Sequence, residues 1–250
     1  MCPAETRSVS PRERFAALAS LPDAQIDVAL GALLIAAEAR PDLDVAHYRE
    51  ALAALAERAA AHVADLHGAA ARTRALVEFL YDEAGLRGNN SDYYDPRNSW
   101  LCDVLDRGLG IPITLAIVFV DVARRIGLRA AGVGFPGHFL ASVALEDGSQ
   151  VMVDAYSGET LDLFACQALL EHTAGEDAQL DPAMLAPTSA REILARVLRN
   201  LKQIHTERRE LEAALACSER ILLLFPSDPG EQRDRDTLAK QIRARRGWVH

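Results

Sequence analysis

A chain of 250 residues, half hydrophobic and a quarter charged, has apolar surface enough for one large domain or two modest ones. The formal charge of −9 disfavours general nucleic-acid binding. The longest apolar run, IPITLAIVFV at 111–120, is well short of the roughly 20 residues a membrane span needs.

The first ten residues, MCPAETRSVS, lack the apolar segment of a secretory leader and are expected to be disordered. From Arg12 to Leu86 the chain is rich in alanine and helical in period. Leu21-Pro22-Asp23 opens one helix and Pro41 stops it; DVAHYREALAALAERAAAHVADL and AARTRALVEFLYDEAGL predict two more. RGNNSDYYDPRNS, residues 87–99, carries the turn chemistry of Gly88, Asn89, Asn90 and Asp95-Pro96 and reads as a polar loop. A short helix from Trp100 to Arg107 follows. Residues 112–126 come next, apolar nearly all round, with Pro112 suited to a first turn and Gly127 to a stop. This is the expected central buried helix.

Beyond it the period changes. RAAGVGF, HFLASVAL and SQVMVDA predict three short strands. From about residue 159 the pattern returns to helix. AREILARVLRNLKQIHTERRELEAALACSERILLLFP predicts an antiparallel pair of helices joined near Thr206 to Arg209, with a last helix within 229–245. The expected organisation is a disordered 1–10, a helical region and core over 11–187, and a helical region over 188–250. The charge divides in a similar way: residues 191–250 hold 13 Lys and Arg against 9 Asp and Glu, and residues 1–190 hold 14 against 27.

Chemistry concentrates on His138 and Asp154, and strand parity decides whether they can meet. A two-residue loop at Asp147-Gly148 would put them on opposite faces of the hairpin. A three-residue loop, Glu146-Asp147-Gly148, pairs Leu140 with Asp154 and makes His138 and Asp154 diagonal neighbours on one face. Glycine in the third loop position suits a type I turn with a G1 bulge, which favours the three-residue loop. A carboxylate that orients an imidazole usually serves a nucleophile, and a thiol gains most at a helix N-terminus. The well-placed buried helix start, Gly110 to Leu115, contains no cysteine; Thr114 is its one hydroxyl. Cys102, in the preceding helix, is the alternative nucleophile or else a buried inert thiol. Asn89, Asn90, Tyr93, Tyr94, Asp95 and Asn98 either line a pocket beside His138 or cap their own loop. Asp121 is expected to pair with Arg124 or Arg125, or to meet Arg97. Two ligands, His138 and Asp154, are too few for a metal site, and the four cysteines at 2, 102, 166 and 217 have neither CxxC nor zinc spacing. They suit a reducing, cytoplasmic setting.

The strings GNNSDYYDPRNSWLCDVLDRGLGIPITLAIVFVDVARRIGL, GVGFPGHFLASV and VDAYSGETL resemble the SirB-type family, whose N-terminal domain is transglutaminase-like. REILARVLRNLKQIH and PSDPGEQRDRDTLAKQI resemble that family's tetratricopeptide-like tail. The resemblance covers roughly residues 20 to 245. It implies an α+β fold in which N-terminal helices pack on a transglutaminase-like core of one buried helix and a small antiparallel sheet, followed by a helical hairpin. Transglutaminase-like proteins carry a Cys at the start of the core helix, then a His and an Asp on the following strands. His138 and Asp154 match this pattern; Pro112 to Thr114 stand where the Cys would be. The expectation is a non-catalytic, degenerate relative that binds a protein or peptide in a regulatory role, without a cofactor, nucleic acid or membrane. The alternative is a cysteine-dependent acyl transferase or amide hydrolase with a relocated nucleophile.

Overall fold

Polar caps set off several of the helices. The structure, a computed structural model, describes residues 9–247. Most of the segment expected to be disordered lies outside these residues, but its last member does not fit that expectation. Ser10 caps α1 (Pro11–Ala19): its hydroxyl accepts the Glu13 N–H, and the Glu13 carboxylate accepts the Ser10 N–H. Asp27 caps α2 (Val28–Ala39) by accepting the Leu30 N–H, and Asp44 caps α3 (Val45–His62) by accepting the Ala46 and His47 N–H groups. Helix α4 (Ala69–Glu78) runs on into one π-helical turn over Phe79–Glu83, where the Ala84 N–H reaches the Phe79 carbonyl.

Helices α5 (Leu101–Arg107) and α6 (Pro112–Arg125) follow the polar loop, and α6 is the central helix the sequence predicts. From Pro112 to Phe119 each of its residues is buried. It packs against α2 and α3 and against two sheet strands. That sheet has four antiparallel strands in chain order, β3 (Ala130–Val133), β4 (Leu140–Ala144), β5 (Gln150–Asp154) and β6 (Glu159–Leu161). The fourth strand corrects the expectation that helix resumes at about 159: residues 159–161 pair with β5, and α7 (Leu163–Ala174) starts only after Asp162 caps it. A second correction is a two-residue parallel pair, β1 (Arg87–Gly88) with β2 (Leu109–Gly110), at the base of the polar loop. Beside it the Gly88 N–H reaches the Tyr156 carbonyl, so the loop, the start of α6 and the turn after β5 are tied together.

The helical pair is α8 (Ala190–Glu207) and α9 (Leu211–Leu224), with α10 (Pro229–Gly247) behind it. One buried cluster includes Leu33 of α2, Phe119 of α6, Leu194 and Leu198 of α8, and Ile221 of α9, so the core runs without a break from the N-terminal helices into the tail. The closeness is extreme at Gly31, where a Cβ would lie 2.6 Å from Leu194 Cδ1. Asp23 caps the start of α8 from a distance by accepting the Ala190 and Arg191 N–H groups. Among the described residues no helix is long and apolar enough to cross a membrane.

Candidate functional site

The β4–β5 register decides the chemistry. Ala141 pairs with Val153 and Val143 with Val151, and the Leu145 N–H meets the Ser149 carbonyl at 2.8 Å. The connection is therefore Glu146-Asp147-Gly148, and Gly148 takes the left-handed φ of 87° that this turn requires. His138 lies just ahead of β4, positioned by a turn in which its N–H bonds the Phe135 carbonyl at 3.0 Å; Asp154 ends β5. With the two on one face, His138 Nε2 and Asp154 Oδ1 are 2.9 Å apart.

The same oxygen, Asp154 Oδ1, also accepts the Tyr156 N–H at 2.8 Å, which anchors the carboxylate. Burial pushes its carboxyl up, but the His138 hydrogen bond and charge, the Tyr156 N–H and Ser157 outweigh burial, and it sits below the usual carboxylate range. A carboxyl with a depressed folded pKa stabilises the fold above its unfolded value, and that contribution fades as pH falls through the folded one. Wild type and Asp154→Asn should therefore differ in urea midpoint at pH 6, and the gap should close as pH drops below 3.8. A gap that stays constant down to pH 3 would mean the carboxylate is not held by charge. Tyr81, carried by the π-helical turn, donates to the Ala155 carbonyl and braces the chain after Asp154.

Neither expected nucleophile is poised against the imidazole. Thr114 is fully buried; its hydroxyl is 2.7 Å from the Asn98 carbonyl, to which it donates, and accepts the Ile111 N–H at 3.2 Å. It is a helix cap. Cys102 is fully buried beside Asp103, its Sγ 3.4 Å from Oδ2. Burial first, and then the Asp103 charge, push this thiol up to about 12, so it stays protonated at neutral pH. Asp121 pairs with Arg125 at 2.6 Å, the second of the partners the sequence offers.

Loop residues divide into two groups. Asn89 donates to Asn98 at 3.0 Å and accepts the Asp92 N–H, while Asn98 donates to the Asp92 and Tyr93 carbonyls. These two brace the loop. Asp95 also works within it, capping a short turn and pairing with Arg97 at 2.7 Å. Tyr93 instead reaches a cleft of about 40 Å³ that it shares with Pro112, Ile113, His138, Arg196 and Asn200. Tyr94 stands beside it, more than half exposed, with the two rings edge to face at 5.3 Å. Tyr156 completes the aromatic wall, its ring 6.3 Å from both His138 and Tyr93.

Sequence reasoning missed Arg196 and Asn200, which come from α8, and did not single out Tyr156. Arg196 Nη2 donates to the His138 carbonyl at 2.7 Å, and its guanidinium lies over the Phe139 ring at 5.3 Å. A signal existed in a basic residue lying between the apolar Ile193-Leu194 and Val197-Leu198 pairs of a strongly amphipathic helix. Among the described residues no three His, Cys, Asp or Glu side chains gather to hold a metal ion.

A family model described as the transglutaminase-like superfamily matches residues 46–199, a span that holds the core helix, His138, Asp154 and Arg196. A UPF0162 protein of Xylella fastidiosa is 36% identical over 236 residues, covering 93% of this chain and 84% of that one. A UPF0162 protein of Pseudomonas aeruginosa is 34% identical over 211 residues, 84% of this chain and 77% of its own. Protein SirB1 of Salmonella typhimurium is 28% identical over 167 residues, 67% of this chain and 62% of its own. No solved structure matches.

Proposed function

The chain belongs to the SirB-type family of the transglutaminase-like superfamily, and from that premise we propose that it is a non-catalytic member that binds a protein or peptide segment at the His138 cleft in a regulatory role. One observation carries the reading: the retained imidazole–carboxylate pair lies beside a helix start with no thiol, and the hydroxyl there, on Thr114, caps the helix and donates to the Asn98 carbonyl. Losing the attacking atom removes most of the rate in a nucleophilic triad, a factor on the order of 10⁶. What remains is an imidazole with one free nitrogen, an aromatic wall and an arginine.

The cleft is favoured over a groove of the tail as the binding surface because α8 and α9 turn apolar faces onto α1 and α2, which supports this reading. The three described cysteines are free and buried, which suits the reducing interior of the cell.

Two assays on the same protein test this. Incorporation of a fluorescent primary amine into casein, and hydrolysis of a peptide ester, should both stay at background for wild type and for His138→Ala. Selection from a displayed peptide library should yield sequences whose binding falls about tenfold or more in Tyr93→Ala, the effect of removing an aromatic anchor. Turnover that depends on His138 and Cys102 would replace this reading with the acyl-transfer one.

A further inference from the structure

We propose that the cleft takes a carboxylate, carried by a peptide C-terminus or by an acidic side chain, with Arg196 as its principal partner. This rests on the binding reading above and names the chemistry of its ligand. Arg196 is half-buried, yet among the described residues no carboxylate lies within ion-pair distance of it. Its one hydrogen bond there is to the neutral His138 carbonyl. A guanidinium withdrawn from water without a counter-charge is costly, and the usual solution is a paired anion. Arg199, one turn along α8, adds positive charge nearby and is itself paired with Glu192 at 3.1 Å. Burial, with Arg199 adding to it, accordingly lowers the Arg196 pKa.

The rest of the cleft agrees. The start of α6 brings its positive dipole end to the wall formed by Ile111, Pro112 and Ile113. Asn200 contributes an amide that can donate. With Nε2 tied to Asp154, Nδ1 is the free imidazole nitrogen, and it donates to a carboxylate only when the ring carries both protons. A volume of about 40 Å³ admits one small headgroup or a few waters, and excludes a ring or a long side chain. The planar guanidinium fork matches a planar carboxylate. Tyr93 and Tyr94, at the rim and partly exposed, offer apolar surface to the flanking peptide.

The test is a titration followed by the backbone amide signals of Ile113 and Gly137, which line the cleft, in ¹⁵N-labelled full-length protein. The probes are acetyl-Tyr-Gly with a free terminus, the same dipeptide amidated, acetyl-Tyr-Glu-amide, and inorganic phosphate. The expected result is a saturable shift with the free-terminus probe or the glutamate probe, whichever source the site takes, and none with the amidated dipeptide. Arg196→Gln should weaken the productive probe about thirtyfold or more, the loss expected for a desolvated charge pair. Asn200→Ala, which leaves the Arg196–His138 bond in place, should weaken it less; it serves as the second variant should Arg196→Gln unfold. Equal shifts with acid and amide, equal shifts with phosphate, or unaltered affinity in both variants would overturn the proposal. Esterase or amine-transfer activity in the same samples would overturn the non-catalytic reading while leaving carboxylate binding standing.

Discussion

Replacing Glu38 by alanine is expected to destabilise the protein by about 3–5 kcal/mol, the range for removing one partner of a buried ion pair. The Arg220 side chain is only 4% exposed, and its Nε donates to Glu38 Oε2 at 2.7 Å, with Nη2 on the same oxygen. Glu38 is near the end of α2 and Arg220 is on α9, so the pair spans the joint between the N-terminal helices and the tail. Arg12 of α1 reaches the same carboxylate at 3.9 Å and also pairs with Glu219, which makes the cluster a small network. Truncating Glu38 leaves the Arg220 guanidinium buried with no countercharge at hand. The double variant Glu38→Ala/Arg220→Met should recover much of the loss, because burial without charge is tolerated. Urea unfolding of the two single variants and the double supplies the cycle. A loss below about 1 kcal/mol for Glu38→Ala would show that the pair behaves as a surface ion pair.

Restoring a thiol should reawaken the dyad. Ile113→Cys is expected to create a cysteine that iodoacetamide alkylates about tenfold or more faster than in the Ile113→Cys/His138→Ala double variant at pH 7. Ile113 is in the first turn of α6, lines the cleft with His138 and is 2% exposed, whereas Pro112 sets the helix start through its fixed φ. A helix N-terminus and a neighbouring imidazole lower a thiol pKa from about 8.5 into the range of roughly 3.5–7.5, raising the thiolate fraction at pH 7 from a few per cent to about a quarter or more. The native background is low: Cys102, Cys166 and Cys217 are buried, and burial raises each of their pKa values. A Cys2→Ser background removes the fourth. Equal alkylation with and without His138 would mean that the imidazole does not face the helix start as a base must, and the descent of this site from a thiol centre would lose its support.

Much of this site was legible from local rules. The glycine at 148 fixed the loop length, the loop length fixed the register, and the register put His138 and Asp154 on one face. The central helix was equally plain, because an apolar run with proline at its head and glycine after its end has few other solutions. What escaped notice was non-local or short. Strand β6 has three residues, too few for a period, and owes its existence to pairing with β5. The β1–β2 pair has two residues per strand and joins segments about 20 positions apart. Arg196 enters the site from α8, 58 positions along the chain from His138, and no pattern along the chain foretells that approach. The hydroxyl of Thr114 could be named as a candidate, but its engagement by the Asn98 carbonyl depends on the path of the whole polar loop.

The contact between Gly31 and Leu194 bears on how the chain is made as well as on how it packs. Helix α2 is apolar on nearly all sides, and one part of its cover is α8, which begins at residue 190 where α2 ends at 39. At synthesis rates of about 5–20 residues per second, roughly 8–30 s separate the emergence of the two. Through that interval the nascent chain carries a sticky helix with its lid unmade, so holdase chaperones or a ribosome pause near the interhelical turns would have most influence on yield at this stage. A premature stop anywhere before α8 leaves that surface permanently bare.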